Sequence, residues 1–245
     1  MIKVIMNGAM GRMGKEIVKS IEESDDVEIA ALIDINGDGK DVLRAIDDFT
    51  GDADVIIDFS HHTAVHSVLD YAKKRNIPAV VATTGMTEEE LKYIDECAES
   101  VPVFRSANMS IGVAVLAAFA AEAARVIPDA DIEIVETHHR NKLDAPSGTA
   151  LLIANEIKTS RPEAEFVCGR SGMKKREDNE IGINSVRCGN VVGIHEVIIS
   201  TAAETITLKH EAHDRSLFAK GAVSAAKFLI GKRAGLYNIK DMVRV

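Results

Sequence analysis

"IKVIMNGAMGRMGKEIV", residues 2–18, decides the fold. A short aliphatic run gives way at once to Gly8, Gly11 and Gly14, spaced three apart, and then to an amphipathic segment. A strand that turns at glycine into a helix is the opening unit of a βαβ fold. Gly8 supplies the tight turn, Gly11 lets the backbone approach a pyrophosphate, and Gly14 lets the helix lie close on the strand, with its first amides facing the anion. The spacing is G-x-x-G-x-x-G rather than G-x-G-x-x-G. Asp34 ends the next apolar run, twenty residues after Gly14, where an acid accepts hydrogen bonds from the ribose hydroxyls of a dinucleotide. Ile35 and Asn36 follow it with no adjacent arginine, and an acid there repels a 2′-phosphate. The expectation is therefore NADH over NADPH, with Lys40 and Arg44 the residues that would rescue a phosphate.

The same rhythm continues to residue 108. Strands are predicted over 27–34, 53–60, 77–84 and 101–107, with helices over 11–24, near 61–75 and over 87–99, so the sheet is parallel and covered on both faces. Ala82, Thr83 and Thr84 before Gly85, and Ser106, Ala107, Asn108 and Met109, end two of these strands; each stretch is either a ligand loop or a plain turn. Beyond Asn108 the pattern changes. An Ala-rich helix over 111–127 stops at Pro128, a half-buried strand covers 130–139, and 196–212 reads as two antiparallel strands around a turn near Ala203. A further helix is predicted over 216–232, and 169–185 is predicted as a long loop whose "KKRED" run is solvated. The fold class is α/β, with an N-terminal Rossmann-type parallel-sheet domain and a second α+β domain with a mixed sheet.

A formal charge of −9 argues against nucleic acid and anionic membrane surfaces as partners, since both need a basic face. Three cysteines without C-x-x-C spacing read as free thiols in a reducing compartment. With no leader-like or spanning pattern, the expected location is the cytoplasm.

An anionic small molecule must then be met by a local cluster, and "VETHHRNKLDAPSGTALL" (135–152) provides one. His138 and His139 end a strand, Lys142 follows in a loop, and Ser147 is placed to cap a helix over 149–157. Ser147, Gly148 and Thr149 offer amides, hydroxyls and the positive end of a helix dipole, a cradle for carboxylate or phosphate. A histidine beside it is a natural general acid for a step in which an arriving hydride creates negative charge. Lys142 can orient the substrate, hold a carboxylate or donate a proton. Adjacent strand residues face opposite ways, so one histidine of the pair can be a plain surface residue. No metal site is expected, because "HEAH" (210–213) lacks zincin spacing and no cysteine or carboxylate cluster completes a shell.

Taken in order, "GAMGRMG" (8–14), "VIIDFS" (55–60), "ATTG" (82–85), "SANMSIGV" (106–113), "HHRNKLDAPSGTAL" (138–151), "VRCGNVVGIHEV" (186–197) and "HDRSLFAKGAVSAAKFL" (213–229) resemble the 4-hydroxy-tetrahydrodipicolinate (dihydrodipicolinate) reductase family over nearly the whole chain. The resemblance implies His138 as general acid and Lys142 as second proton donor, with His139, Lys142, Ser147, Gly148 and Thr149 holding substrate carboxylates. It implies NADH or NADPH held by Gly8, Ala9, Met10, Gly11, Arg12, Met13, Asp34, Ala82, Thr83, Thr84, Ser106, Ala107, Asn108 and Met109. The implied reaction reduces a cyclic imine-type dicarboxylate with loss of water on the diaminopimelate route to lysine, in a homotetramer. It also implies that 216–245 completes a dinucleotide-binding domain begun by 1–108, leaving 109–215 for substrate and oligomerisation. Ala82 departs from the family's usual Gly, His61-His62 from a small-residue-plus-proline stretch, and the segment after Asp34 is short. From the residues alone, another two-domain NAD(P)-dependent dehydrogenase and a cofactor sensor without turnover remain alternatives.

Overall fold

In the computed structural model, which describes residues 1–243, strand β1 (Ile2–Asn7) is paired on both sides, with β2 (Val27–Ile33) and β3 (Val55–Asp58), all parallel. Val4, Ile5 and Met6 have no exposed surface, as a strand covered on both faces requires. Helix α1 (Arg12–Glu22) buries Gly14, Ile17 and Ile21 along one stripe. Helix α2 (Val65–Arg75), β4 (Ala79–Val81), α3 (Glu88–Ala98) and β5 (Pro102–Arg105) continue the alternation, with β3 against β4 and β4 against β5, again parallel. Local signals fix the helix ends: Asn76 closes α2 in the left-handed region at φ 51°, and Thr87 with Glu90 forms a reciprocal capping box on α3.

Residues 110–214 form a second compact unit. Helix α4 (Ile111–Val126) and helix α5 (Gly148–Ser160) cover a mixed sheet that contains β6 (Asp131–His138), β7 (Glu165–Cys168), β8 (Glu180–Arg187), β9 (Gly193–Ser200) and β10 (Thr205–Ala212). The strand order is β10-β9-β6-β8-β7, antiparallel on the β9 side of β6 and parallel on the β8 side. Ile132 and Ile134 of β6, Ile181 and Ile183 of β8, and Val197 and Ile199 of β9 meet Ala120, Ala124, Ile153 and Ile157 in its core. Helix α6 (Ser216–Leu229) then packs on α1, and β11 (Gly235–Tyr237) pairs parallel with β5, so residues 215–243 belong with residues 1–109. The last two residues of the expected 216–245 segment, 244 and 245, lie outside the described residues.

The expected loop over 169–185 is corrected: β8 begins at Glu180. Its apolar face rests on two residues, Ile181 and Ile183, while Gly182 and Asn184 on the other face belong to composition typical of turns. At Gly182 the Glu133 carboxylate lies over the strand, 1.9 Å from where a Cβ would stand, so a side chain there would have to displace it. Nor is "KKRED" wholly solvated. Arg176 folds back on the sheet, with Nε 2.8 Å from Asp131 Oδ1 and an NH group 2.6 Å from Glu133 Oε1.

Candidate active site

The first unit has a cleft of about 490 Å³ at the carboxyl ends of β1, β2 and β3, lined by Gly8, Gly11, Asp34, Arg44 and His61 among others. The glycine loop is built as its spacing demands. Gly8 adopts φ 84°, and a Cβ there would lie 2.5 Å from Phe59 O. At Gly14 a Cβ would lie 2.1 Å from Gly8 O, so this glycine sets the approach of helix to loop. The Gly8 and Ala9 amides donate to Ile33 O at 2.8 and 3.0 Å, and that of Met10 to Asp34 Oδ2 at 2.9 Å. The first helical amide to reach back is that of Lys15, to Gly11 O at 3.1 Å. The amides of Arg12, Met13 and Gly14 precede it and form the positive helix start that an anion seeks. Asp34 lines the cleft while accepting from Met10 and, through Oδ1, from the Asn36 amide at 3.0 Å.

The two other expected loops stand on neighbouring strand ends and do not line this cleft. Ala82 is buried, and Thr83 spends its hydroxyl internally, donating to Asp58 Oδ2 at 2.9 Å and accepting from the Ser60 amide at 3.0 Å. Thr84 is exposed. Asp58, with no exposed surface, also accepts from Asn7 Nδ2 at 2.7 Å and Ser60 Oγ at 2.6 Å. It thereby ties the ends of β1, β3 and β4 together, although burial pushes its carboxyl above the usual range. Ser106 Oγ donates to Asn108 O at 2.6 Å, Ala107 is exposed and Met109 is buried. His62 Nδ1 lies 2.8 Å from Glu90 Oε1.

The second unit gathers the histidine-lysine cluster at the end of β6. His138 is 8% exposed and His139 half-buried. Ser147 is buried and caps α5 by accepting the Ala150 amide at 3.1 Å. Gly148 is exposed and Thr149 half-buried, so the helix start opens outward past its cap. Lys142 Nζ holds both Asp144 oxygens, at 2.7 and 2.9 Å.

Three residues that the sequence reading passed over complete this arrangement. Glu136, fully buried, places Oε2 2.5 Å from His138 Nδ1 and accepts the Ser147 amide on Oε1 at 3.1 Å. Arg187 grips both oxygens of that carboxylate at 2.8 Å and donates to Asp144 O at 2.6 Å. His195, 4% exposed, sets Nε2 3.2 Å from Ser147 Oγ and its ring edge-on to that of His138. Burial would raise the Glu136 carboxyl, but hydrogen bonds from Arg187 and His138 bring it down to about 2. Burial pulls His138 below the usual imidazole range against the opposing pull of Glu136, and takes His195 down to about 3. The group can therefore hold an anion at the helix start and deliver a proton beside it. The available signal was E-x-H in "VETHH": residues two apart on a strand share a face. Among the described residues, no group of three His, Cys, Asp or Glu side chains converges as a metal would need.

Comparison with known proteins agrees with both halves. The family model described as dihydrodipicolinate reductase, N-terminus, matches residues 2–109, and that for the C-terminus matches 112–243. The chain belongs to the dihydrodipicolinate reductase family. A relative named 4-hydroxy-tetrahydrodipicolinate reductase, from Caldanaerobacter subterraneus subsp. tengcongensis, is 47% identical over 100% of this chain and 99% of its own. One of the same name from Clostridium novyi is 45% identical over the same shares. Among solved structures, a dipicolinate-bound dihydrodipicolinate reductase from Paenisporosarcina sp. TG-14 superposes with a TM-score of 0.80 at 26% identity, over 100% of both chains. A myo-inositol dehydrogenase from Corynebacterium glutamicum, at 16% identity and TM-score 0.60 over 96% of this chain and 90% of its own, shares the fold. Family membership accounts for the architecture: a Rossmann-type sheet and a mixed sheet in one chain.

Proposed function

We infer that the chain reduces 4-hydroxy-tetrahydrodipicolinate to tetrahydrodipicolinate, with NAD(P)H as reductant and loss of water, in the diaminopimelate route to lysine. The observation that carries this reading is the buried His138 beside the Ser147–Thr149 helix start, with Lys142 three residues beyond His139. A cyclic dicarboxylate fits a site offering helix amides, hydroxyls, an ammonium and an imidazole within one short segment. Bound reduced nicotinamide dinucleotide supplies a hydride. In the net reaction that hydride takes the place of the ring hydroxyl, and one proton from the protein leaves with the hydroxyl as water.

His138 acts as general acid and Lys142 as second donor, while His139, Lys142, Ser147, Gly148 and Thr149 hold the carboxylates. Burial depresses the His138 pKa, so the empty ring favours its neutral form. A bound dianion raises that pKa again and charges the donor only when there is substrate to protonate. The cofactor is held by residues 8–13 and 82–84, Asp34, and Ser106 to Met109. The glycine loop supports this, because its positive φ and its contact with the Phe59 backbone leave no place for a side chain at Gly8, which lines the cleft. The 1–108 and 216–245 segments thus form the dinucleotide-binding domain, and 109–215 the substrate and oligomerisation domain. NADH is preferred, since Asp34 lines the cleft; Arg44 lines it too, with Nε committed to Gly37 O at 2.8 Å. A preference for NADPH of tenfold or more would overturn that part, and its loss in Arg44→Ala would assign the phosphate contact to Arg44. The enzyme is a cytoplasmic homotetramer. An apolar groove on the second unit, where Phe119, Val126 and Ile206 are exposed, supports assembly, and light scattering reads the mass directly.

The test follows NADH oxidation with substrate formed freshly from pyruvate and aspartate semialdehyde. Rapid turnover is expected, and His138→Gln and Lys142→Ala should each lower kcat about 10²-fold or more. NADH binding without turnover would point to a sensor, and two variants as fast as the parent would overturn the site.

A further inference from the structure

One carboxylate links the proposed proton donor to the start of the carboxylate cradle. Glu136 Oε2 meets His138 Nδ1 at 2.5 Å and one Arg187 NH group at 2.8 Å; Oε1 meets the Ser147 amide at 3.1 Å and the other NH group at 2.8 Å. A carboxylate with no exposed surface is costly to bury, and here each oxygen has two donors. Arg187 alone would neutralise it. Beyond the Ser185 hydroxyl, the other contacts of the carboxylate go to the proposed proton donor and to the amide of the residue that caps α5.

We propose that Glu136, clamped by Arg187, is a positioning residue for the reaction: it fixes the His138 ring so that Nε2 faces the substrate, and anchors the Ser147 start of the carboxylate cradle to the same point. The proposal rests on the reading of His138 as general acid. An ionised carboxylate only accepts, so Nδ1 carries the proton and Nε2 is the atom free to exchange one. Gly193 lies on that side: a Cβ there would come 3.0 Å from Nε2. The groups facing His138 are Glu136 on its own strand, Lys142 in the following loop, Arg187 on β8 and His195 on β9. Of these only Glu136 is negative. Its charge stabilises the imidazolium against those of Lys142 and Arg187, the part played by the carboxylate of a Ser-His-Asp triad.

Two measurements test this. In the parent enzyme labelled with ¹⁵N-histidine, at a pH where the ring is neutral, NMR should find His138 protonated at Nδ1; protonation at Nε2 overturns the proposal with no variant made. In Glu136→Gln, kcat should fall about 10²-fold or more, as when such a partner loses its charge. The limb on which kcat falls as pH rises should move to lower pH by about one unit or more, while NADH affinity is unchanged. Should Glu136→Gln fail to fold with Arg187 unpaired, Glu136→Gln combined with Arg187→Met removes both charges and reads the same limb. A limb that stays in place overturns the role of Glu136 if His138→Gln still abolishes turnover. If His138→Gln is itself harmless, the failure belongs to the general-acid assignment instead.

Discussion

Gly14→Ala tests the glycine loop most directly, because a single methyl group is all it adds. Built on the present backbone, that methyl carbon lies 2.1 Å from Gly8 O and 2.8 Å from Ala9 O, whereas ordinary contact begins at 3.4 Å. Both neighbours are backbone atoms, so no rotamer change relieves the clash. Helix and loop must part by about 1.3 Å at the nearer contact. Overpacking against backbone that cannot give belongs to the upper part of its usual range, about 2–3 kcal/mol, and the intrinsic helix preference of Ala over Gly returns about 1 kcal/mol. The expected net loss is about 1–2 kcal/mol, which in a chain of this size lowers Tm by about 2–8 °C. Parting the helix start from the loop also spoils the anion site, so the KM for NADH should rise tenfold or more. Gly11→Ala is the matched control, since its Cβ would meet only Gly8 O, at 3.2 Å. It should lose no more than about 1 kcal/mol, the scale of a cap substitution, yet still raise KM because Gly11 lines the cleft. Thermal melts and initial rates read both. A Gly14→Ala protein with parental Tm and KM would refute the argument that this glycine exists for close approach.

Ser147→Ala removes the α5 cap and the partner of His195 Nε2, so it should cost about 2 kcal/mol in urea unfolding and raise the KM for the dicarboxylate. Arg161 gives three hydrogen bonds to the carbonyls of Ala124, Ile127 and Ala130 at the end of α4. Arg161→Met should lower stability by about 2 kcal/mol with kcat unchanged. His195 is held neutral with its pKa at about 3, so the unfolded chain binds its proton first. Stability from this group is present above the ordinary imidazole value and lost as pH falls from there toward 3. Glu136, held at about 2, adds a second loss as pH falls below the ordinary carboxylate value. Urea midpoints from pH 7 to 4 should therefore drop less in His195→Gln than in the parent, and equal drops would refute the assignment.

The parallel half of the fold was legible because its signals are local. Glycine spacing and a strand of continuous apolar residues each act within a few residues, and each element they predict is present. Strand β8 was not legible, because what holds it lies far off in sequence. Its polar face answers to Glu133, more than forty residues earlier, which accepts from Asn184 Nδ2 at 3.0 Å and lies over Gly182.

The same distinction explains why the cluster's segment could be found and its organising carboxylate could not. His138, Lys142 and Ser147 share ten residues of chain, so their chemistry shows in the string. Glu136, Arg187 and His195 lie on three strands and meet only through register: Glu136 stands opposite His195 on β9 and opposite Ser185 on β8, while His138 stands opposite Arg187. A slip of one residue in either pairing would turn Arg187 or His195 to the other face of the sheet. What specifies that register is the alternation of Ile132 and Ile134 with Ile181, Ile183, Val197 and Ile199, all buried in one core. The aliphatic core of the mixed sheet thus does more than stabilise the second unit. It aligns a buried carboxylate with its arginine and with two histidines, and the geometry of the proton donor is inherited from that packing.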